Sequence, residues 1–209
     1  MALTRFSTND FAVMRVPGLE ARMQEIRQTV QPKLRAFASR LVPFLTETTG
    51  QPYYAHLAKH ARRTVNPPDS TWIAFSCDPR GYKKYPHFQL GLWEDYLFFW
   101  LAMIDEYAGK APLAHLMRVD EQISALPDTY CWSTDHTKKK LLNQAALDKP
   151  SRDALFQRLQ TVKKADLLCG LTFTPEQLTN TDSASLLHTF EEAILQLMPL
   201  YNAAQAAIS

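Results

Sequence analysis

Thr71-Trp72-Ile73-Ala74-Phe75-Ser76-Cys77, Phe88-Gln89-Leu90-Gly91-Leu92 and Tyr96-Leu97-Phe98-Phe99-Trp100-Leu101-Ala102-Met103-Ile104 follow one another mid-chain, and their reading decides the fold. The first is rich in β-branched and aromatic residues and is closed by the turn-forming Asp78-Pro79-Arg80-Gly81, so it reads as a strand. In the second, Phe88, Leu90 and Leu92 alternate with His87, Gln89 and Gly91, the period of a strand with one face buried. Glu94-Asp95 reverses the chain into the third run. Its apolar residues suit a buried helix or a central strand, because periodicity does not separate the two; length and aromatic content favour the strand. Together they predict a three-stranded antiparallel meander over residues 71 to 104.

Working outward, Leu19, Met23, Ile26 and Val30 recur at helical spacing, and Gln31-Pro32 is expected to interrupt that helix because the residue before proline is pushed out of the α region. A second helix starts on Pro32, buries Leu34, Phe37, Ala38 and Leu41, and ends or kinks at Pro43. Tyr53 to Thr64 reads as a third, short helix, and Asn66-Pro67-Pro68-Asp69 turns the chain into the meander. Beyond the meander, Leu113 to Leu126 reads as a helix with Leu116, Val119 and Ile123 on one face, Thr129 to Ser133 as a short strand and Lys138 to Leu147 as a short helix. Ser151 is a suitable N-cap for a helix burying Leu155, Leu159 and Val162. Leu167 to Phe173 is a further strand, and Thr174-Pro175-Glu176-Gln177 is a capping box with proline at the first helical position. Leu186, Leu187, Phe190, Ile194, Leu197 and Tyr201 place a terminal helix. Strands in the middle with helices at both ends predict an α+β fold, a mainly antiparallel sheet covered by amphipathic helices, as one domain over residues 1–209.

The 209 residues are 46% hydrophobic and 21% charged, ordinary for a globular chain and against disorder or fibre. The apolar run at residues 96–104 is about half of the ~20 residues that span a bilayer, and Met1-Ala2-Leu3-Thr4-Arg5 has no apolar signal core, so a cytoplasmic protein with no membrane partner is expected. Cys77, Cys131 and Cys169 are odd in number and lack a C-x-x-C pair, which argues for reduced thiols rather than disulfides or a cysteine zinc site. The six glycines stand too far apart for G-x-G-x-x-G or a P-loop, and no G-x-S-x-G is present, so no nucleotide cofactor or nucleophile elbow is expected.

The strings Lys59-His60-Ala61-Arg62-Arg63-Thr64-Val65-Asn66-Pro67-Pro68, Arg80-Gly81-Tyr82-Lys83, Pro86-His87-Phe88-Gln89-Leu90-Gly91-Leu92-Trp93 and Asp135-His136-Thr137 resemble the YktB-like family of bacterial proteins, a domain of unknown function. The likeness runs from Arg22-Met23 to Val162-Lys163-Lys164-Ala165. It implies a bacterial, cytoplasmic α+β protein and carries no activity, substrate or catalytic residue to transfer.

Charge is unevenly placed. Residues 54–91 hold six Lys/Arg against two acids, a net +4, while the other 17 bases and 19 acids leave −2. On the expected helix, His56, Lys59, His60 and Arg63 form one stripe with Arg62 beside it, and no acid lies between Tyr54 and Asn66 to offset them. Either acids elsewhere, such as Glu94, Asp95, Asp105 or Glu106, pair with the stripe, or the stripe binds an anion; Arg offers bidentate donors to phosphate and His changes charge near neutral pH. A metal site on His56 and His60 has the right spacing, but Leu57 stands where H-E-x-x-H needs its glutamate and the neighbouring cations repel a metal ion, so none is expected. Arg80, Lys83 and Lys84, interleaved with Tyr82 and Tyr85, suit phosphate contacts with stacking, or form a solvated hairpin tip. His87 and His136 complete the candidate anion-binding set. Asp135 beside His136 resembles an acid-oriented base, although turn neighbours seldom orient one another. The expected function is a binding module for a phosphorylated or other anionic ligand, nucleic acid or nucleotide-like metabolite. The alternatives are an enzyme on a small phosphorylated substrate using His56, His60 or His136 as acid or base, and an interaction protein without a small ligand. A groove open at both ends favours a polymer and a closed pocket a metabolite.

Overall fold

A computed structural model describes residues 2–116 and 123–208, apart from the side chains of residues 115 and 116. Seven strands form one antiparallel sheet: β1 (Tyr54–Leu57), β2 (Ser70–Ser76), β3 (His87–Trp93), β4 (Leu97–Met103), β5 (Cys131–Ser133), β6 (Leu142–Asn143) and β7 (Leu167–Phe173), in the spatial order β1-β2-β3-β4-β7-β5-β6. The meander of β2, β3 and β4 is therefore as expected, and the apolar run at 96–104 is a strand. Trp93 N–H donates to the Tyr96 carbonyl at 2.9 Å, closing the Glu94-Asp95 reversal.

Among the described residues the α-helices are α1 (Thr8–Ala12), α2 (Leu19–Glu25), α3 (Gln31–Thr49), α4 (Lys110–Leu116), α5 (Lys149–Thr161), α6 (Pro175–Thr179) and α7 (Ser183–Ala206). Ile73, Phe75, Phe88, Leu90, Leu92, Leu97, Phe99 and Leu101 face a helical layer built chiefly from α3 and α7. Phe190 of α7 stacks on Phe99 at 4.7 Å between centroids and tilts against Phe37 of α3, so one aromatic residue joins both helices to the central strand. The opposite face is buried too, which the alternation of β3 did not predict: every residue of β3 and β4 is buried. There Trp93, Tyr96, Phe98, Trp100, Ala102, Ile104 and Leu168 form a second apolar cluster, joined by Trp72, by Tyr82 of the β2–β3 turn and by Leu141. Phe98 and Trp100 stack at 4.1 Å. Their room comes from the facing strand positions, where Gly91 pairs with Phe98 and Gly170 with Trp100. A Cβ on Gly170 would lie 2.2 Å from the Phe99 carbonyl oxygen and 2.5 Å from Trp100 Cα.

Several elements differ from expectation. Tyr53 to Thr64 is no helix: residues 54–57 pair with β2 as an edge strand, and His60 takes a left-handed φ of 51° that no helix admits. The period-two pattern decides, since Tyr53 is buried in the main core and Leu57 packs against it while Tyr54 and His56 point the other way; the 3.6-residue spacing of the cations was coincidental. Gln31-Pro32 does not interrupt the first helix, because α2 (Leu19–Glu25) passes through a π turn, Ile26–Val30, straight into α3. The widened turn takes up the carbonyl that the proline ring would otherwise strike. Pro43 likewise lies inside α3, which ends only at Gly50 in a left-handed C-cap. Lys138 to Leu147 holds the two residues of β6 and a 3₁₀ turn, Gln144–Ala146, because Trp132 Nε1 donates to Gln144 and draws that segment onto β5. The helix at 149–161 is capped by Asp148, whose carboxylate accepts from Ser151 N–H; Leu155 and Leu159 are buried, but Val162 lies past its end and is exposed. Of the expected Leu113 to Leu126 helix, Lys110–Leu116 and residues 123–124 are helical, and Val119 lies outside the described residues. The capping box at Thr174 and the terminal helix stand as expected, and the three cysteines are free.

Candidate functional site

On the face opposite α3 and α7, the segment after β1, the β2–β3 turn and the segment after β5 meet around a cavity of about 560 Å³. Its floor is Gln89 and Ile104, its walls Trp72 and Tyr82. Lys59, Arg62 and Arg63 stand exposed on one side with His60 below them; Lys83 and His136 enter from the others. Of the cations of the basic turn, Lys83 joins the basic segment at this cavity, while Arg80 and Lys84 do not line it. Tyr82 divides this cavity from a larger neighbour of about 960 Å³ that also touches Lys59 and that Arg80 and His56 line. Neither Arg80 nor His56 lines the first cavity. Arg80 is paired locally with Asp78 at 3.7 Å, and His56 Nε2–H donates to the Asp78 carbonyl at 2.9 Å.

Three of the acids expected to neutralise the stripe are held by cations outside it. Lys139 holds Glu94 and Asp95, and Lys83 holds Glu106 at 2.7 Å. Lys59, Arg62 and Arg63 have no carboxylate partner among the described residues. The ion-pair reading of the stripe therefore does not hold for those three cations; the cation that takes Glu106 is Lys83 of the turn.

The histidines play different parts. His87 is fully buried under the floor: its Nδ1–H donates to the Tyr85 carbonyl at 2.8 Å, and its Nε2 accepts from Gln89 Nε2 at 2.8 Å while Gln89 Oε1 accepts from Trp100 Nε1–H at 3.3 Å. Both ring nitrogens are taken, the tautomer is determined, and burial holds the pKa down to about 4, so His87 is a neutral strut presenting no donor to the cavity. His60 is also held at about 4, by burial and then by Arg63; its Nε2 meets the Thr71 hydroxyl at 3.2 Å and its ring stands edge-on to Trp72. His136 differs. Burial pulls its pKa down, but Asp166, and then Asp105 and Asp135, outweigh it and the pKa is raised. Its Nδ1–H donates to Asp166 Oδ2 at 2.6 Å, and its backbone N–H donates to the same oxygen at 2.8 Å. Asp166, not the adjacent Asp135, is the orienting acid; it lies 30 residues away, just ahead of β7, where no motif marks it. Asp135, His136 and Asp166 offer ligand atoms within 4.8 Å of one another. Those atoms are committed to each other and, at Asp135, to Thr137 and Lys138, so the arrangement fits an acid–imidazole pair better than a cation site.

The depressed histidines set a pH dependence. The unfolded chain binds protons near pH 6.5 that folded His87 refuses until about pH 4, so this stability is present above pH 6.5 and is lost as pH falls toward 4. For fully buried His87 the loss is of order 3 kcal/mol, with His60 adding in the same direction and His136, whose pKa is raised, contributing the opposite way. Urea midpoints between pH 7 and 4 should fall steeply in the wild type and more shallowly in His87→Gln; parallel slopes would remove His87 as the cause.

The class is thus an α+β protein whose seven-stranded antiparallel sheet carries helices on one face and a cation-rimmed cavity on the other. The chain belongs to the family described as "Domain of unknown function (DUF1054)", whose model matches residues 6–201. It is 42% identical over 204 residues to a UPF0637 protein of Bacillus cytotoxicus, covering 97% of this chain and 98% of the relative. UPF0637 proteins of Bacillus velezensis and Bacillus licheniformis are 40% and 39% identical over 207 residues, each covering 98% of this chain and 99% and 98% of those relatives. YktB is the B. subtilis member, so the family read from the sequence is the one found. No helix among the described residues is long and apolar enough to cross a membrane.

Proposed function

We propose that this protein binds a small phosphorylated ligand in the cavity between Trp72, Tyr82 and His136. The observation that carries the reading is the exposed trio Lys59, Arg62 and Arg63 on one cavity, without carboxylate partners among the described residues. Such a cluster focuses positive potential where an anion would sit, and two guanidinium groups supply bidentate donors for phosphate. His136, whose pKa Asp166 raises against the pull of burial, also lines the cavity and joins its cations when protonated. A cavity of about 560 Å³ with aromatic walls falls within the range of small-molecule sites, which favours a metabolite over a nucleic acid.

Thermal melting with inorganic phosphate and isothermal titration calorimetry test this. Phosphate should raise Tm in the wild type. Arg62→Ala combined with Arg63→Ala should abolish that rise while shifting the unliganded Tm by less than about 2 °C, because both side chains are exposed. Loss of the fold in the double variant, with no phosphate effect on the wild type, would make these arginines structural and end the proposal. Tight binding of duplex or single-stranded nucleic acid, with log K falling linearly in log salt, would point to a polymer instead.

A further inference from the structure

We infer that the cavity is a site of proton transfer as well as binding: His136, oriented by Asp166, donates a proton through Nε2 to the leaving oxygen of a phosphate monoester. The inference rests on the anion-binding reading above and adds a reaction to it. Three observations support it. Asp166 is buried, and it grips both the ring Nδ1–H and the backbone N–H of His136 through one oxygen, so the imidazole is held in one orientation. The other carboxylate oxygen of Asp166 is buried with no hydrogen-bond partner among the described residues, an arrangement that is costly for a purely structural acid and leaves the imidazolium as the compensating charge. The remaining ring nitrogen, Nε2, has no partner among the described residues, and His136 lines the cavity. A buried carboxylate behind a histidine that lines a cation-rimmed cavity, its second nitrogen unpaired among the described residues, is an arrangement that general acid–base chemistry uses.

The groups acting on His136 are Asp135 beside it, Asp166 ahead of β7, Asp105 after β4 and His87 of β3, which is neutral. The three acids favour the protonated imidazole, which is the form that donates. In the step itself, water attacks phosphorus and a new P–O bond forms. The ester P–O bond breaks with its electron pair going to the leaving oxygen, which takes the Nε2 proton and departs as an alcohol. The attacking water leaves one proton on the phosphate product and releases the other to solvent, from which His136 is reprotonated. Lys59, Arg62 and Arg63 hold the phosphoryl oxygens, and Asp166 is a positioning residue.

Release of inorganic phosphate from phenyl phosphate and from p-nitrophenyl phosphate by the purified full chain tests the inference, alongside calorimetric binding of inorganic phosphate. Phenol is the poorer leaving group and needs the proton more. His136→Asn should therefore lower kcat on phenyl phosphate at least about 100-fold and on p-nitrophenyl phosphate far less. His136→Gln guards against a folding defect in the first variant, with melting curves recorded for both. The wild-type kcat should fall as pH rises through the raised pKa of His136, and Asp166→Asn should move that falling limb to lower pH. Phosphate binding without turnover of either ester would overturn proton transfer and leave the binding reading standing; absence of both would end both. Equal losses on the two esters in His136→Asn, or an unmoved pH limb in Asp166→Asn, would also overturn it.

Discussion

Replacing Gly170 by alanine is expected to cost the fold at least about 3 kcal/mol, because the new methyl group meets backbone rather than a side chain that can swing away. Its nearest neighbours are the Phe99 carbonyl oxygen at 2.2 Å and Trp100 Cα at 2.5 Å, both on the partner strand at the centre of the sheet. Relief requires β4 and β7 to separate, and that would break the ladder joining β7, β5 and β6 to the meander. Urea denaturation of Gly170→Ala beside Gly81→Ala makes the test internal: a Cβ at Gly81 meets nothing within 4 Å, so that variant should stay within about 0.5 kcal/mol of wild type. Equal stability of the two variants would show that the sheet yields more easily than its geometry implies.

Lys33→Met should destabilise the protein by about 3–5 kcal/mol, although methionine keeps the stem's packing. Asp10 is wholly buried, and its Oδ2 accepts from Lys33 Nζ at 2.6 Å, from Ser7 N–H at 2.6 Å and from the Ser7 hydroxyl at 3.1 Å. Lys33 also donates to the Arg5 carbonyl at 2.8 Å, so one ammonium fastens the N-terminal arm to α3. Removing it leaves a carboxylate out of water with only Ser7 to satisfy it. Adding Asp10→Asn should restore much of the lost stability, since the amide needs no counter-charge; a double variant no more stable than Lys33→Met would indicate that packing, not charge, was lost.

The sheet was legible in the sequence wherever local signals and burial agreed. Thr71 to Cys77 and Leu167 to Phe173 carry both strand-forming residues and turn residues at their ends, and each is a strand within a residue of the expected limits. The segment after Tyr53 misled because its charges obey a helical period while Tyr53 and Leu57, four residues apart, share a face in a helix and in a strand alike, and the open edge of β2 decided between them. Charge in the candidate site was legible for the same reason it was misplaced. The excess between residues 54 and 91 needs no element assignment to be counted, whereas which cations share a cavity depends on turns joining distant strands. His87 read as a ligand and is a strut, because its alternation with Phe88 marked a solvent face that Trp100, Tyr82 and Ile104 in fact cover. Asp166 carries no local signal, since its partner is 30 residues away.

The position of β4 bears on what happens when this protein fails. Leu97–Met103 is seven residues of strand-forming, uncharged, proline-free sequence, the composition from which intermolecular cross-β stacking grows. Here it is the fourth strand of seven, with the four-residue β1 and the two-residue β6 as the exposed borders. Short borders give another chain little to pair with, and the adhesive segment is kept three strands from either of them. Detaching β7 uncovers that segment directly, so in the absence of denaturant damage at the β4–β7 seam should end in insoluble assemblies.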